Sequence, residues 1–180
     1  MSSALPLEQR IRRLEDIVEI KTLKGLYCKY NDGGWPEQGP SHRGPCLELF
    51  VEDAVWDGRP YFFHAEGREA IGEALSSARS MPFVVHNVMT PIIEVNGDVA
   101  SGHWHMICCV SLPDFSSHWL IGHYLEDYVR TAQGWRFKAI RLPSAALFPQ
   151  PAGWTSGAPF DTVGAGRLMT ATSMPALAAC

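Results

Sequence analysis

One histidine stands in the middle of a segment that reads as a buried β-strand. Residues 83–88 are Phe-Val-Val-His-Asn-Val, and His86 is the titratable residue among them. An imidazole is costly to bury unless its nitrogens find polar partners, so a neighbour has to explain its presence there. Strand alternation puts His86 on the same side as Val84 and Val88. Paired with a carboxylate this histidine would be a general base, and unpaired it is more often a satisfied core residue.

The carboxylate best placed to pair with His86 is Asp32, at the predicted end of the first helix. There it would lie at the mouth of a cavity that the helix roofs. It would fix the tautomer of His86, raise its basicity and stabilise the imidazolium formed when a proton is taken. The alternative is that Asp32 only forms a turn ahead of Gly33 and Gly34. The local sequence leaves both interpretations open.

Aromatic and sulfur-containing residues are expected around this pair. Tyr27 and Tyr30 lie on or near the apolar stripe of the first helix, and a buried phenol needs a hydrogen-bond partner, either the backbone or a ligand. We expect Tyr27 to join Asp32 and His86 in catalysis. The residues expected to contact a ligand are Tyr30, Trp56, Met106, Cys108 and Tyr124.

A metal site is the rival hypothesis, because His103 and His105 share one face of a strand. A cupin-like set would also need a glutamate a few residues on, and residues 106–109 contain none. The alternate positions on that strand are more apolar and should face the cavity, which leaves both histidines outside. Whether His123 joins them depends on the hairpin register. We therefore expect no metal and no cofactor, and the facing of Arg141 stays open.

Helical patterns precede strand patterns along the chain. The first helix is predicted over 7–32, where apolar residues including Leu14 recur at intervals of three and four, and a Gly/Pro-rich loop follows at 33–45. The remaining predicted elements are a short helix at 46–50, strands at 54–57 and 61–64, a helix at 67–80, and strands at 83–95, 99–110, 117–130 and 135–142. Asn96-Gly97 marks a tight hairpin between the first two of the long strands. This order indicates an α+β fold with the helices packed on one face of an antiparallel sheet.

Composition narrows the class of protein. A chain of 180 residues fits one domain, here 1–142, with a C-terminal extension, 143–180, that is either a disordered tail or a lid over a pocket. The apolar residues and low charge of the extension favour the lid. A net charge of −4 without a basic cluster argues against nucleic acid as a partner, and no apolar run is long enough for a membrane span. The absence of a signal peptide and the odd count of five cysteines suggest a cytoplasmic protein with reduced thiols.

Several motifs in order resemble one family. They are Y-x-x-x-x-D closing the first helix, ELFVEDAVWDG, GREAI, V-H-N-V-x-T-P, EVNGDVASGHW and E-D-Y-V-R-T-x-x-G-W-R-F, over about residues 8–142. The set resembles the SnoaL-like branch of the nuclear transport factor two-like superfamily, which includes scytalone dehydratase, bile-acid 7α-dehydratase and lindane dehydrochlorinase. The resemblance implies a cone-shaped curved sheet, an α+β barrel, with helices across its concave face. It also implies a cofactor-free lyase that assembles as a homo-oligomer, with a trimer favoured and a dimer possible.

The resemblance carries over to single residues. Asp32 and His86 match the family's catalytic pair, and Tyr27 matches the tyrosine of the bile-acid dehydratase. That enzyme has a second aspartate where this chain has Cys108, and scytalone dehydratase has a second histidine near Val110. We therefore expect a lyase acting by dehydratase-like elimination or retro-aldol-type cleavage on a small apolar cyclic or aromatic metabolite. The alternatives are an isomerase or polyketide cyclase with the same base, or a noncatalytic ligand-binding protein.

Overall fold

The computed structural model describes residues 6–34, 45–77 and 81–150. The helices are α1 (Leu7–Asn31), a short 3-10 helix (Cys46–Leu49) and α2 (Arg68–Ser77). The strands are β1 (Phe50–Asp57), β2 (His64–Glu66), β3 (Phe83–Asn96), β4 (Val99–Ser111), β5 (Ser117–Thr131) and β6 (Gly134–Pro149). The predicted α+β class and the order of elements are confirmed. The proposed lid beyond residue 150 lies outside the described residues.

The six strands form one curved sheet in the order β2-β1-β6-β5-β4-β3. The sheet is not closed, because β2 and β3 are its two edges. Four of the five strand pairings are antiparallel, but β1 pairs with β6 in parallel. The expectation of a wholly antiparallel sheet was therefore wrong at this pair. Strand β6 follows β5 through a hairpin and pairs on its other side with β1, which runs in the same direction as β6.

Three strands differ most from their predicted bounds. Strand β1 begins at Phe50, four residues before its predicted start. The second short strand is His64–Glu66 instead of 61–64, because the chain turns at residues 59–61 and then crosses back to pair with Val55–Asp57. Strand β6 continues to Pro149 instead of ending at Leu142. Its pairing with β1 ends at Arg141, so Pro143, which has no N–H to donate, lies where β6 needs only β5.

The core lies between α1 and the sheet. The buried side of α1 runs through Asp16, Ile20, Leu23 and Tyr27. Leu14 was predicted to lie on this side, but it is 64% exposed, since it points about half a helical turn away from Asp16. The face that α1 presents to the sheet therefore begins at Asp16.

Two predictions from composition can be compared with the described residues. None of the helices in the described residues is both long enough and apolar enough to cross a bilayer. Cys28, Cys46, Cys108 and Cys109 are all free thiols, as expected, while Cys180 lies outside the described residues.

Candidate active site

A cavity of about 620 Å³ lies between the helices and the sheet. Its walls are mainly apolar and aromatic, with a few polar groups that include His86, Asn31 and the phenols of four tyrosines. Cavities of this size and character are typical of sites for small, largely apolar ligands.

Asp32 and His86 meet at the edge of this cavity. Asp32 Oδ1 accepts a hydrogen bond from the main-chain N–H of His86 at 2.9 Å and lies 2.7 Å from His86 Nδ1. When the imidazole is neutral, Nδ1 therefore carries the proton, and Nε2 is left as an acceptor. The side chains are 14% and 21% exposed for His86 and Asp32, respectively. The arrangement can accept a proton at Nε2 and hold the resulting imidazolium beside a carboxylate.

The main chain fixes the approach of these two residues. Asp32 ends α1, where its N–H donates to Cys28 O at 2.8 Å. The next residue, Gly33, exchanges two hydrogen bonds with Val84, at 2.9 and 3.0 Å. Asp32 is thus at once the helix end that the turn interpretation predicted and the partner of His86. The backbone bridge beside it joins α1 to β3 two residues before the imidazole.

Tyr27 presents an unused proton to the cavity. Trp56 Nε1 donates to the Tyr27 hydroxyl at 3.0 Å, so the phenol oxygen acts there as an acceptor. Within the described part of the chain its own O–H finds no acceptor. Burial raises the pKa of Tyr27 well above its ordinary value, so the group is a neutral donor. Tyr27 and Trp56 both line the cavity.

The other predicted contact residues divide into two groups. Tyr30, Cys108 and Tyr124 line the cavity, as does Trp56. Met106 does not line the cavity: it lies two residues before Cys108 on β4 and is buried in the core, 1% exposed. Strand alternation correctly placed Met106 on the face of β4 that is directed to the interior. It could not show whether that position borders the cavity or the packed core.

Several residues that line the cavity were not predicted from the sequence. Asn31 donates through Nδ2 to Tyr27 O at 2.7 Å and approaches Cys46 Sγ at 3.4 Å. Ala145 and Leu147 come from the part of β6 that had been assigned to the C-terminal extension. The missed residues that complete the wall include Leu47, Met81, Leu112, Leu120 and Leu142. The alternating positions of Ala145 and Leu147 could have indicated that the strand continues. Pro143 argued against this, because proline rarely lies inside a strand.

The other histidines of the described ranges and Arg141 do not line the cavity. His103 lies 5.2 Å from His105 and 5.3 Å from His123, measured between ring centroids, so hairpin register does place all three together. Burial and the two neighbouring histidines lower the pKa of His123. No group of three or more metal-ligating side chains in the described ranges is arranged to hold a metal ion. Arg141 pairs with Asp127 at 2.8 Å, away from the cavity wall.

The comparisons with known proteins agree with this architecture. The SnoaL-like domain family matches residues 12–141. No curated protein matches the chain in sequence.

Solved structures share the fold. An NTF2-like protein with a cystatin-like fold from Novosphingobium aromaticivorans is 26% identical, with a TM-score of 0.60, over 80% of this chain and 92% of that one. A proposed scytalone dehydratase from the same organism is 20% identical, with a TM-score of 0.63, over 82% and 97%. The hexachlorocyclohexane dehydrochlorinase LinA-type3 from Novosphingobium barchaimii is 17% identical, with a TM-score of 0.66, over 83% and 99%.

Proposed function

Since this chain belongs to the SnoaL-like domain family, we propose that it is a cofactor-independent lyase acting on a small, largely apolar cyclic or aromatic metabolite. The observation that carries the proposal is the 2.7 Å contact between Asp32 and His86 Nδ1 at the wall of an apolar cavity. This contact leaves Nε2 free as a base. The dehydratase and dehydrochlorinase names of the structural neighbours support the same reaction class.

In the proposed mechanism, His86 takes a proton from carbon or from a hydroxyl group of the substrate. Asp32 holds the imidazole and stabilises its protonated form. Tyr27 donates its free proton to a substrate oxygen or to the departing group. General base catalysis of this kind contributes about 10²–10⁴-fold. Elimination of water is the leading reaction, and retro-aldol-type cleavage begins with the same base acting on a hydroxyl group.

An isomerase or polyketide cyclase is the second candidate. The residue at position 108 supports it, because it offers no acid to assist a leaving group. Cys108 stands where a related dehydratase has a second acid, and burial raises the pKa of its thiol far above the ordinary range. A thiol is also a weaker hydrogen-bond donor than a phenol, and so less suited to assist a leaving group. Tyr27 is then the main donor available, and an isomerase needs no leaving group at all. Product analysis separates the two, because a lyase yields two products and an isomerase one.

The test begins with a ligand and proceeds to turnover. A panel of aromatic, steroid and polyketide compounds is screened by thermal shift, where a compound at 100 times its Kd adds about 2.7 kcal/mol of stability. Compounds that bind are then assayed with wild type, His86→Ala and Asp32→Asn. We expect at least about a hundredfold loss of turnover in both variants, with binding retained.

A surface histidine provides the matched control. His64 Nδ1 lies 3.3 Å from Asp57 and Nε2 lies 2.9 Å from Glu66, so it too pairs with carboxylates, but it does not line the cavity. His64→Ala should leave turnover unchanged. Full activity in His86→Ala would leave the Asp32–His86 pair as a structural contact. Ligand binding without turnover in wild type would support the noncatalytic binding protein.

We further propose that copies of this chain associate, with a trimer favoured over a dimer. Large apolar side chains exposed on the sheet strands support this, among them Met89 at 37%, Ile92 at 62% and Ile121 at 44%. Light scattering coupled to size-exclusion chromatography measures the mass directly. A monomer at micromolar concentration would contradict this part of the proposal.

A further inference from the structure

A buried ion pair lies behind the cavity wall, and the proposed mechanism does not use it. Lys24 Nζ and Glu126 Oε1 are 2.5 Å apart, and both side chains are 0% exposed. Glu126 Oε2 also accepts the hydroxyl proton of Tyr128, whose oxygen in turn accepts a hydrogen bond from Trp104 Nε1 at 3.0 Å. Burying two charges is unfavourable unless their geometry and hydrogen bonds compensate. The buried Lys24–Glu126 pair is therefore a candidate for a functional role.

The ammonium of Lys24 lies against two rings that line the cavity. It is 3.5 Å from the ring centroid of Tyr124 and 4.8 Å from that of Tyr27. Lys24 itself does not line the cavity, so the cation contacts these rings from the protein side.

The phenol hydroxyls of the same rings are available to a ligand. Tyr124 is 2% exposed, and in the described ranges its O–H makes no hydrogen bond. Tyr27 uses its oxygen to accept from Trp56 and keeps its own proton free. Burial, with a smaller contribution from Glu126, raises the pKa of both phenols well above their ordinary value. Both groups are consequently neutral donors in an apolar chamber.

A cation against the face of a phenol favours donation by that phenol. When an O–H group shares its proton with a ligand oxygen, negative charge builds up on the phenol oxygen and ring. A positive charge a few ångströms away stabilises this shift, and the effect is larger in a water-poor interior than in water. Groups fixed before the ligand arrives do not have to reorganise.

We propose that the Lys24–Glu126 pair is a positioning element that holds Tyr124 and Tyr27 as primed hydrogen-bond donors to an acceptor oxygen of the ligand. The ligand class is then an apolar ring compound that carries a carbonyl oxygen. The inference rests on the proposed function in that His86 takes a proton from the same ligand. It adds Tyr124 as a donor and assigns Lys24 and Glu126 a role exerted through the two rings.

The probe is a matched pair of small molecules, 1-tetralone and tetralin, which share their rings and differ in one carbonyl oxygen. Calorimetry gives the two Kd values, and infrared spectroscopy gives the carbonyl stretch of bound 1-tetralone. We expect wild type to bind the ketone roughly tenfold more tightly, as one or two good hydrogen bonds imply, with its carbonyl stretch shifted to lower frequency.

The decisive variant is Lys24→Met/Glu126→Gln, which removes both charges and keeps an acceptor for Tyr128. It should bind tetralin as wild type does, lose most of the preference for the ketone, and move the carbonyl stretch back toward its value in an apolar solvent. Asp16→Asn/Arg130→Met is the matched control, since it removes a 2.7 Å ion pair remote from the cavity and should keep the preference.

A folded double variant that retains the ketone preference and the shifted stretch would overturn the inference, because the pair would then be structural only. If the double variant does not fold, Tyr124→Phe decides the matter. It should lose the preference in part, and full retention would overturn the inference.

Failure of the proposed function would be seen separately. Exchange of the α-protons of 1-tetralone in deuterated water should depend on His86, whereas the ketone preference should survive His86→Ala.

Discussion

Two tyrosines in the described ranges each accept a hydrogen bond from a tryptophan, but their own hydroxyl protons differ in where they point. Trp104 donates to Tyr128 at 3.0 Å, and Trp56 donates to Tyr27 at 3.0 Å. The proton of Tyr128 goes on to Glu126, but that of Tyr27 finds no acceptor in the described ranges. The first pair is closed within the core and the second opens on the cavity.

The difference separates groups that stabilise the fold from groups that can act on a ligand. Each buried polar atom in the closed pair has a partner, so removing one member leaves another unsatisfied. In the open pair the last proton faces a chamber where a ligand can accept it. One local motif therefore serves two purposes, and the acceptor beyond the tyrosine decides which.

Breaking the end of the closed pair should have the largest effect on stability. Lys24→Met leaves the Glu126 carboxylate buried without its cation, and we expect a loss of about 3–5 kcal/mol in the free energy of unfolding. Lys24→Met/Glu126→Gln should recover most of this loss. Urea unfolding followed by circular dichroism measures both. A single variant within about 1 kcal/mol of wild type would show that water reaches the pair.

The two tyrosines should respond differently to loss of their hydroxyls. Tyr128→Phe leaves Trp104 Nε1 and a Glu126 oxygen unsatisfied, and should cost about 1–3 kcal/mol of stability. Tyr27→Phe removes only the acceptor of Trp56 and should cost less, while it lowers turnover. Thermal and urea unfolding of the two variants under the same conditions gives the comparison. Equal losses would erase the distinction between the pairs.

A glycine lies against each pair and gives a finer test. A Cβ on Gly102 would lie 2.8 Å from a ring carbon of Tyr128, in the closed core. A Cβ on Gly58 would collide with the ring of Trp56, which borders the cavity, and would lie 2.6 Å from Cβ of Phe62. Because the contacts at Gly58 are closer, we expect Gly58→Ala to cost at least as much as Gly102→Ala, about 1–3 kcal/mol in each case. A smaller loss for Gly58→Ala in urea unfolding would show that the ring of Trp56 moves into the cavity.

The smallest expected effect is on the free energy of unfolding at alkaline pH, which depends on the buried phenols. The folded-state pKa of Tyr27 is raised, whereas the unfolded phenol ionises near its ordinary value of about 10. Above that pH the unfolded chain releases protons that the folded protein retains, so stability falls as pH rises; below it the contribution is fully present. Tyr27→Phe should reduce this fall by about 1 kcal/mol over one pH unit. Urea midpoints between about pH 8 and 11 test it, and identical slopes would contradict the pKa shift.

The sequence predicted those features that depend on local pattern. Alternation placed His86 beside Val84, and the first helix ended close to Asp32 as expected. Strand alternation also predicted the outward facing of His103 and His105, and the Asn96-Gly97 hairpin was predicted from its turn residues, of which Gly97 takes a positive φ.

Features that depend on long-range packing could not be read from the sequence. From the sequence, Lys24 is expected to be a solvent-exposed helix residue. Its burial is explained by its ion pair with Glu126, which belongs to β5. The depth of Met106 depends on where the cavity floor lies, and the length of β6 depends on β1 ending beside Arg141. Periodicity describes faces of elements, but it does not describe which elements meet.

The bridge between Gly33 and Val84 has a practical consequence. Both of its hydrogen bonds are main-chain bonds, and they lie next to Asp32 and two residues from His86. The bridge therefore holds the main chain of Asp32 close to that of His86, and the two main chains separate only when the end of α1 lifts from β3. The amide proton of Val84 is hydrogen-bonded in this bridge, so its exchange rate measures how often the protein opens beside the proposed catalytic pair.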